Sequence, residues 1–222
     1  MELTATNKTQ GIWGRVKTAT RYLFGYDAVT NTRYRKNRGT MPLRAEEIEL
    51  NQWDRDRMIS TLLNFKRNNP IVKAISRLRK TDTIGAGIQA QPMSGDADYD
   101  KRVGALWAEW AEAPEVTGQM SMTDVQKEIA DSTVFYGDMG LLLGRNGFLQ
   151  LIEGTRIGNP GGAGSWSEAD PNKQGVIVGK YGRPRYYRVG QRVDGMLQDV
   201  TTVPARDFIL HFNRMRPTQF RG

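Results

Sequence analysis

The stretch from Asp56 to Pro92 constrains this chain most, because it carries a long helical pattern interrupted once by a proline. From Asp54 to Arg67, Met58, Leu62 and Phe65 recur at i, i+4, i+7, with Ile59 and Leu63 beside them. Asn68 and Asn69 precede Pro70, and a residue before proline avoids the helical region. Pro70 suits the first turn of a second helix, whose apolar face is Ile71, Val72, Ile75 and Leu78. That helix is expected to end near Thr81–Asp82. Thr83 to Pro92, with Gly85 and Gly87, then reads as a short strand.

Charge sharpens the picture. Residues 1–44 hold nine Lys/Arg against Glu2 and Asp27, which is +7 of the formal +8 of the whole chain. Asp54 to Lys80 holds eight more against Asp54 and Asp56, so the rest is mildly acidic. A basic N-terminal third on an acidic body suits a polyanion or an acidic partner. Arg15, Lys17, Arg21, Arg33, Arg35, Lys36 and Arg38 carry most of that charge and are the candidates for meeting DNA or another acidic surface.

Three regions follow in order. Residues 1–45 read as a basic, partly extended arm, in which Trp13, Tyr22, Phe24 and Tyr26 need a surface to bury against. Residues 46–136 read as helical, with the short strand at 83–92. A third helix from near Asp98 carries Val103, Leu106, Trp107 and Trp110 on one stripe and stops at Pro114. A fourth, opened by Met122-Thr123-Asp124, has Val125 and Ile129 inside. Residues 137–222 alternate with period two. They give one hairpin over Gly144–Gly147 and another over Tyr181–Pro184, with a last strand at Asp207–Phe212. Helices first and antiparallel sheet after make an α+β fold.

Catalytic and metal chemistry are poorly supplied. The chain has no cysteine and one histidine, His211, which sits in an apolar run and is expected to be a buried or interfacial structural residue. Asp96, Asp98 and Asp100 mimic a calcium loop, but Lys101 stands where the glycine belongs and Trp107 where the glutamate belongs, so capping of the Trp107 helix is the expected role. The loop from Gly158 to Ser165 lacks the Lys-Ser/Thr of a phosphate-binding loop. Glu109 with Glu112, and Asp131 with Asp138, are expected to be solvated surface acids. No catalytic residue, metal or cofactor is therefore assigned. No window approaches the roughly 18 apolar residues of a membrane span, and the first ten residues form no apolar leader core, so no membrane partner is expected.

An ordered series of segments carries a resemblance. It runs from Gly25-Tyr26-Asp27-Ala28 through Arg67-Asn68-Asn69-Pro70, Gly85-Ala86-Gly87-Ile88 and the Leu106–Trp110 helix to Tyr136-Gly137-Asp138. It continues through Leu149–Glu153, Gly182-Arg183-Pro184 and Val203-Pro204-Ala205 to the Arg-x-x-Gln-x-Arg-Gly element at Arg216–Gly222. In this order the series resembles the N-terminal half, the wing-like region, of lambda-type phage portal proteins.

The resemblance implies a structural, non-enzymatic subunit of a dodecameric ring at a capsid vertex. DNA would enter and leave through that ring, and terminase, capsid and head–tail connector proteins would dock on it. The expected location is the virion, with the host cytoplasm during assembly. Trp13, Tyr22, Phe24, Tyr26, Trp107 and Trp110 become candidates for contact between subunits, and any contact with double-stranded DNA would be nonspecific. Family members continue past the Arg-Gly element into stem, clip and crown, so the chain is expected to be a fragment, a split portal or a truncated product. A nonspecific DNA-binding monomer or dimer is the alternative reading, and a metal-dependent nuclease using scattered acids is a third.

Overall fold

The computed structural model describes residues 46–162 and 170–222. The arm at 1–45 lies outside them, and with it Arg15, Lys17, Arg21, Arg33, Arg35, Lys36, Arg38, Trp13, Tyr22, Phe24 and Tyr26.

After one helical turn, Glu46–Glu49, four helices follow: α1 (Gln52–Asn68), α2 (Pro70–Ile84), α3 (Ala97–Glu112) and α4 (Met122–Phe135). Seven strands come next: β1 (Asp138–Leu143), β2 (Leu149–Glu153), β3 (Asn172–Lys173), β4 (Val176–Val178), β5 (Pro184–Val193), β6 (Met196–Pro204) and β7 (Phe208–Phe212). The fold is α+β, with every strand pair antiparallel.

The proline joint is a shared cap. Asn69 ends α1 and caps α2, its side chain accepting from the backbone N–H of Ile71 and Val72, with Pro70 in the first helical positions. That placement uses the one turn in which a missing N–H does no harm. Helix α4 opens with a reciprocal capping box between Ser121 and Asp124. Helix α3 is capped by Asp96, which accepts from Asp98 and Tyr99, while the Asp100 carboxylate holds Ser94.

Residues 83–92 form no strand. Helix α2 runs on to Ile84, and the chain leaves it through Gly85 (φ 57°) and Gly87 (φ 102°). Both angles lie where glycine alone is comfortable, and a side chain at Gly87 would also strike Thr123. The extended piece pairs instead with one side-chain amide. Gln126 of α4 accepts from the Ile88 N–H at 2.7 Å and donates to the Ile88 carbonyl at 2.8 Å.

Two sheets follow, ordered β2-β1-β7 and β3-β4-β5-β6. The first hairpin pairs Leu143 with Leu149 over Gly144–Phe148. The longest pairing, β5 with β6, closes over Asp194 (φ 49°) and Gly195 (φ 79°), the left-handed pair that a two-residue hairpin turn needs. The apolar core lies between the sheets, built from Ile152, Ile157, Val176, Tyr187 and Phe208. The Tyr187 and Phe208 rings sit 4.7 Å apart. Burial raises the Tyr187 pKa above the ordinary phenol value.

Candidate interaction surfaces

A buried polar hub ties the end of the chain to the first strand. Asp138 at the start of β1 is fully buried, and Arg221 is 3% exposed. The Arg221 guanidinium has five N–H donors in a fixed fork, and all five find acceptors. Nε and Nη2 bind the two oxygens of Asp138, Nη2 also reaches the Gly154 carbonyl at 2.8 Å, and Nη1 reaches the carbonyls of Ile157 (2.7 Å) and Gln174 (2.8 Å).

The rest of the Arg216–Gly222 element supports this grip. Gln219 donates to the Arg221 carbonyl at 2.7 Å and accepts from Met215 and Arg216, so it folds the segment back on itself. The Gly222 N–H donates to Asp138 at 3.2 Å, and its carbonyl accepts from Arg55 of α1. Gly137 (φ 80°) crosses so close that a Cβ there would lie 2.7 Å from the Gly222 carbonyl carbon.

A second clasp fastens the helices. Asp131 of α4, 1% exposed, accepts from Ser76 of α2 at 2.6 Å, pairs with Lys66 of α1, and lies 3.5 Å from Lys80 of α2. Burial opposes the Lys80 charge, but the Glu128 hydrogen bond and the Glu128 and Asp131 charges outweigh it and raise the Lys80 pKa. Asp131 and Asp138 are thus buried, neutralised anchors and not solvated surface acids. Glu109 and Glu112 are exposed.

These clasps divide the basic helix pair into two sets. Arg55, Lys66 and Lys80 turn inward, and Arg79 bonds the Ala130 carbonyl and the Thr133 hydroxyl. Arg57, Arg67, Lys73 and Arg77 are exposed.

The apolar periodicity of the same helices faces outward. The inner line of α1 is Gln52, Arg55 and Ile59, about a quarter turn from Met58, Leu62 and Phe65 at 100° per residue. The inner residue of α2 is Ser76. Met58 (55%), Phe65 (52%), Ile71 (70%), Ile75 (53%) and Leu78 (59%) stand in solvent. Of the apolar residues read along the two helices only Ile59 is buried, because polar clasps take the other inner positions.

Helix α3 has no buried residue, and Leu106 is 66% exposed. Trp107 and Trp110 stack obliquely at 5.1 Å and are half-buried, and Trp110 Nε1 donates to the Gly147 carbonyl in the β1–β2 turn at 2.9 Å. His211 is exposed on β7, not buried. It borders an apolar groove of about 490 Å³ with Ile84, Ile88, Ile129 and Phe212. Among the described residues, no three His, Asp or Glu side chains are grouped to hold a metal ion. No helix of the described residues is long and apolar enough to cross a membrane.

What the hub and clasps define is a scaffold: its buried charges hold elements together, and its large exposed features are faces. The family comparison names it further. The model for phage portal proteins of the lambda family matches residues 33–222, and the chain belongs to that family. Among solved structures it is similar to a chain described as the neck of an empty GTA particle computed with C6 symmetry, at 12% identity and a TM-score of 0.44. That match covers 71% of this chain and 38% of the other, so this chain spans well under half of that neighbour's length. No curated protein matches the chain.

Proposed function

We propose that this chain is a structural subunit of a phage portal ring at a capsid vertex, the passage for DNA in packaging and ejection. The membership of residues 33–222 in the lambda portal family carries this reading. The buried charges of Arg55, Asp131, Asp138 and Arg221, with half-buried Lys66, support it, because each serves to hold the scaffold. A passive channel subunit needs no nucleophile or general base; the packaging motor supplies the chemistry. In this reading the ring has twelve copies, closes head to tail, and meets terminase, capsid and head–tail connector proteins, first in the host cytoplasm and then in the virion. Trp107, Trp110 and the aromatic and basic residues of the arm are contact candidates within it.

The test is the solution mass by light scattering, with negative-stain images. Closed rings with a central hole are the expected result. A monomer that binds duplex DNA with a steep salt dependence would favour the nonspecific DNA-binding reading, acting through the basic arm and the helix pair, on which Arg57, Arg67, Lys73 and Arg77 are exposed.

A further inference from the structure

The polar ties of helix α3 to the rest of the fold lie at its C-terminal end. There the Leu149 N–H donates to the Pro114 carbonyl at 2.8 Å and the Val116 N–H donates to the Leu149 carbonyl at 2.9 Å, with Glu115 buried between them. Trp110, in the last turn of α3, donates from Nε1 to the Gly147 carbonyl. From Gln89 to Glu109 the pattern is different. Among the described residues, no hydrogen bond or ion pair leaves that stretch: Asp100 holds Ser94, and the Asp96 cap serves its own helix. Helix α4 buries Val125, Asp131, Ser132 and Phe135, whereas α3 buries nothing.

Room lies beneath the untied part. A cavity of about 380 Å³ is lined by Gly104, Trp107 and Ala111 of α3 and, across from them, by Ile88, Ala90 and Met122. A Cβ on Gly104 would meet nothing within 4 Å. The chain on either side of α3 has freedom to turn. After Ile88, which Gln126 holds, an extended run leads to Gly95 at φ 92° with open space around it. At the other end Ala113 has left the helix at φ −149° and ψ 65°. A residue before proline favours ψ of roughly 120–160°, so Ala113 has a further well to turn into.

We propose that α3 is a hinged flap, pivoting at Ala113 and swinging across this cavity, with the Trp110–Gly147 hydrogen bond as its latch. The proposal concerns a single copy and does not rest on the ring reading. A swing of the whole rod keeps the helical bonds and the Asp96 cap. It gives up only the latch and the half-buried contacts of Val103 and Trp107. Segments with few buried apolar contacts and few long-range hydrogen bonds are the ones that move while the rest of a fold stays closed.

The sequence has no cysteine, so spin labels can be placed at will. Lys73→Cys on α2 is the reference, because Ser76 and Asp131 clasp α2 to α4. It is paired in turn with Lys101→Cys near the untied end of α3 and with Glu112→Cys beside the pivot, all three positions being exposed. At about 1.5 Å of rise per residue, Lys101 lies roughly 18 Å from Ala113 and Glu112 about 2 Å, so the same swing displaces Lys101 far more. Pulsed electron spin resonance should therefore give a 73–101 distance distribution at least about twice as broad as the 73–112 distribution, the labels themselves adding equally to both. Trp110→Phe keeps an aromatic ring but removes the donor. It should broaden the 73–101 distribution further and leave the 73–112 distribution and the melting point unchanged. Two equally narrow distributions, in the unsubstituted and Trp110→Phe backgrounds alike, overturn the flap. Two equally broad ones overturn the pivot at Ala113. A broad 73–101 distribution that Trp110→Phe leaves untouched supports the flap and overturns the latch.

Discussion

Arg221 and Asp138 lie 83 positions apart in sequence and meet in the least accessible place in the fold. Their contact joins the end of the Arg216–Gly222 element to the first residue of β1, and the same guanidinium collects three carbonyls from two further segments, the turn at 154–157 and Gln174. The pair therefore braces the start of β1 against those segments, while α1 is held as well by Gln52 to Asn159, Asp56 to Arg192 and Lys66 to Asp131. Replacing Arg221 with Met leaves Asp138 buried with only Arg55, 3.8 Å away, as a cationic neighbour. The expected loss is about 3–5 kcal/mol of unfolding free energy. Denaturant titration of Arg221→Met, Asp138→Asn and the double variant checks it, with the double losing less than the sum of the singles.

The helical clasp is smaller and should respond in graded fashion. Ser76→Ala removes one hydrogen bond to Asp131 and should cost about 1 kcal/mol. Asp131→Ala leaves Lys66 without its carboxylate, Lys80 with Glu128 alone and Ser76 without its acceptor, and should cost more, about 3 kcal/mol. Thermal unfolding of both variants tests the order. Equal losses would mean that Asp131 acts through packing and not through charge.

Backbone crowding predicts a position that tolerates nothing larger than hydrogen. Gly137→Ala combines a positive φ with a Cβ driven into the Gly222 backbone, which no rotamer can relieve. A loss of about 1–3 kcal/mol from the dihedral alone, with more from the contact, should appear in the denaturation midpoint. Gly195→Ala, with open space around its Cβ, isolates the dihedral component.

Much of this fold is written locally in the chain. The Asn69-Pro70 joint, the Ser121–Asp124 start of α4, the Gly144–Gly147 turn and the strand at 208–212 all announce themselves through caps, turn residues or alternation. Strand β6 carried an equally local signal, Asp194-Gly195 between alternating segments, but its polar outer residues hid it. What periodicity could not give was the direction of the α1 and α2 faces. It detects an apolar stripe, and only long-range polar contacts, Gln52 with Asn159 and Arg55 with Gly222, decide which side is inner. The hub was hidden for the same reason: a guanidinium and a carboxylate 83 positions apart leave no pattern in a short window.

Alkaline pH should loosen the fold through three groups. Lys80 has its pKa raised, against opposing burial, by Glu128 and Asp131, Tyr187 has its pKa raised by burial, and Tyr136 by burial and the nearby Glu153, Glu128 and Asp131 charges. A raised folded-state pKa means that the stabilisation is complete below the unfolded value, near 10 for all three groups. It is lost as pH rises through the folded value. Stability should hold steady from neutral pH toward 10 and decline above it. The Tyr187→Phe variant should lose only the Lys80 and Tyr136 shares. Denaturation midpoints across that range, for both proteins, would show the prediction wrong if the curves coincide.

The outward stripe separates folding from assembly. Leu78 is 59% exposed and touches no clasp, so Leu78→Glu should leave monomer stability within about 0.5 kcal/mol. The same change puts a carboxylate where, in a ring, an apolar neighbour is expected to sit. Burying an uncompensated charge in an interface costs several kcal/mol, so assembly should fail while the far-ultraviolet circular dichroism and the melting point stay unchanged. Leu78→Arg buries a charge of the other sign at the same place and should fail in the same way. If both variants assemble like the unsubstituted chain, the stripe faces solvent in the ring and the contact between copies lies elsewhere.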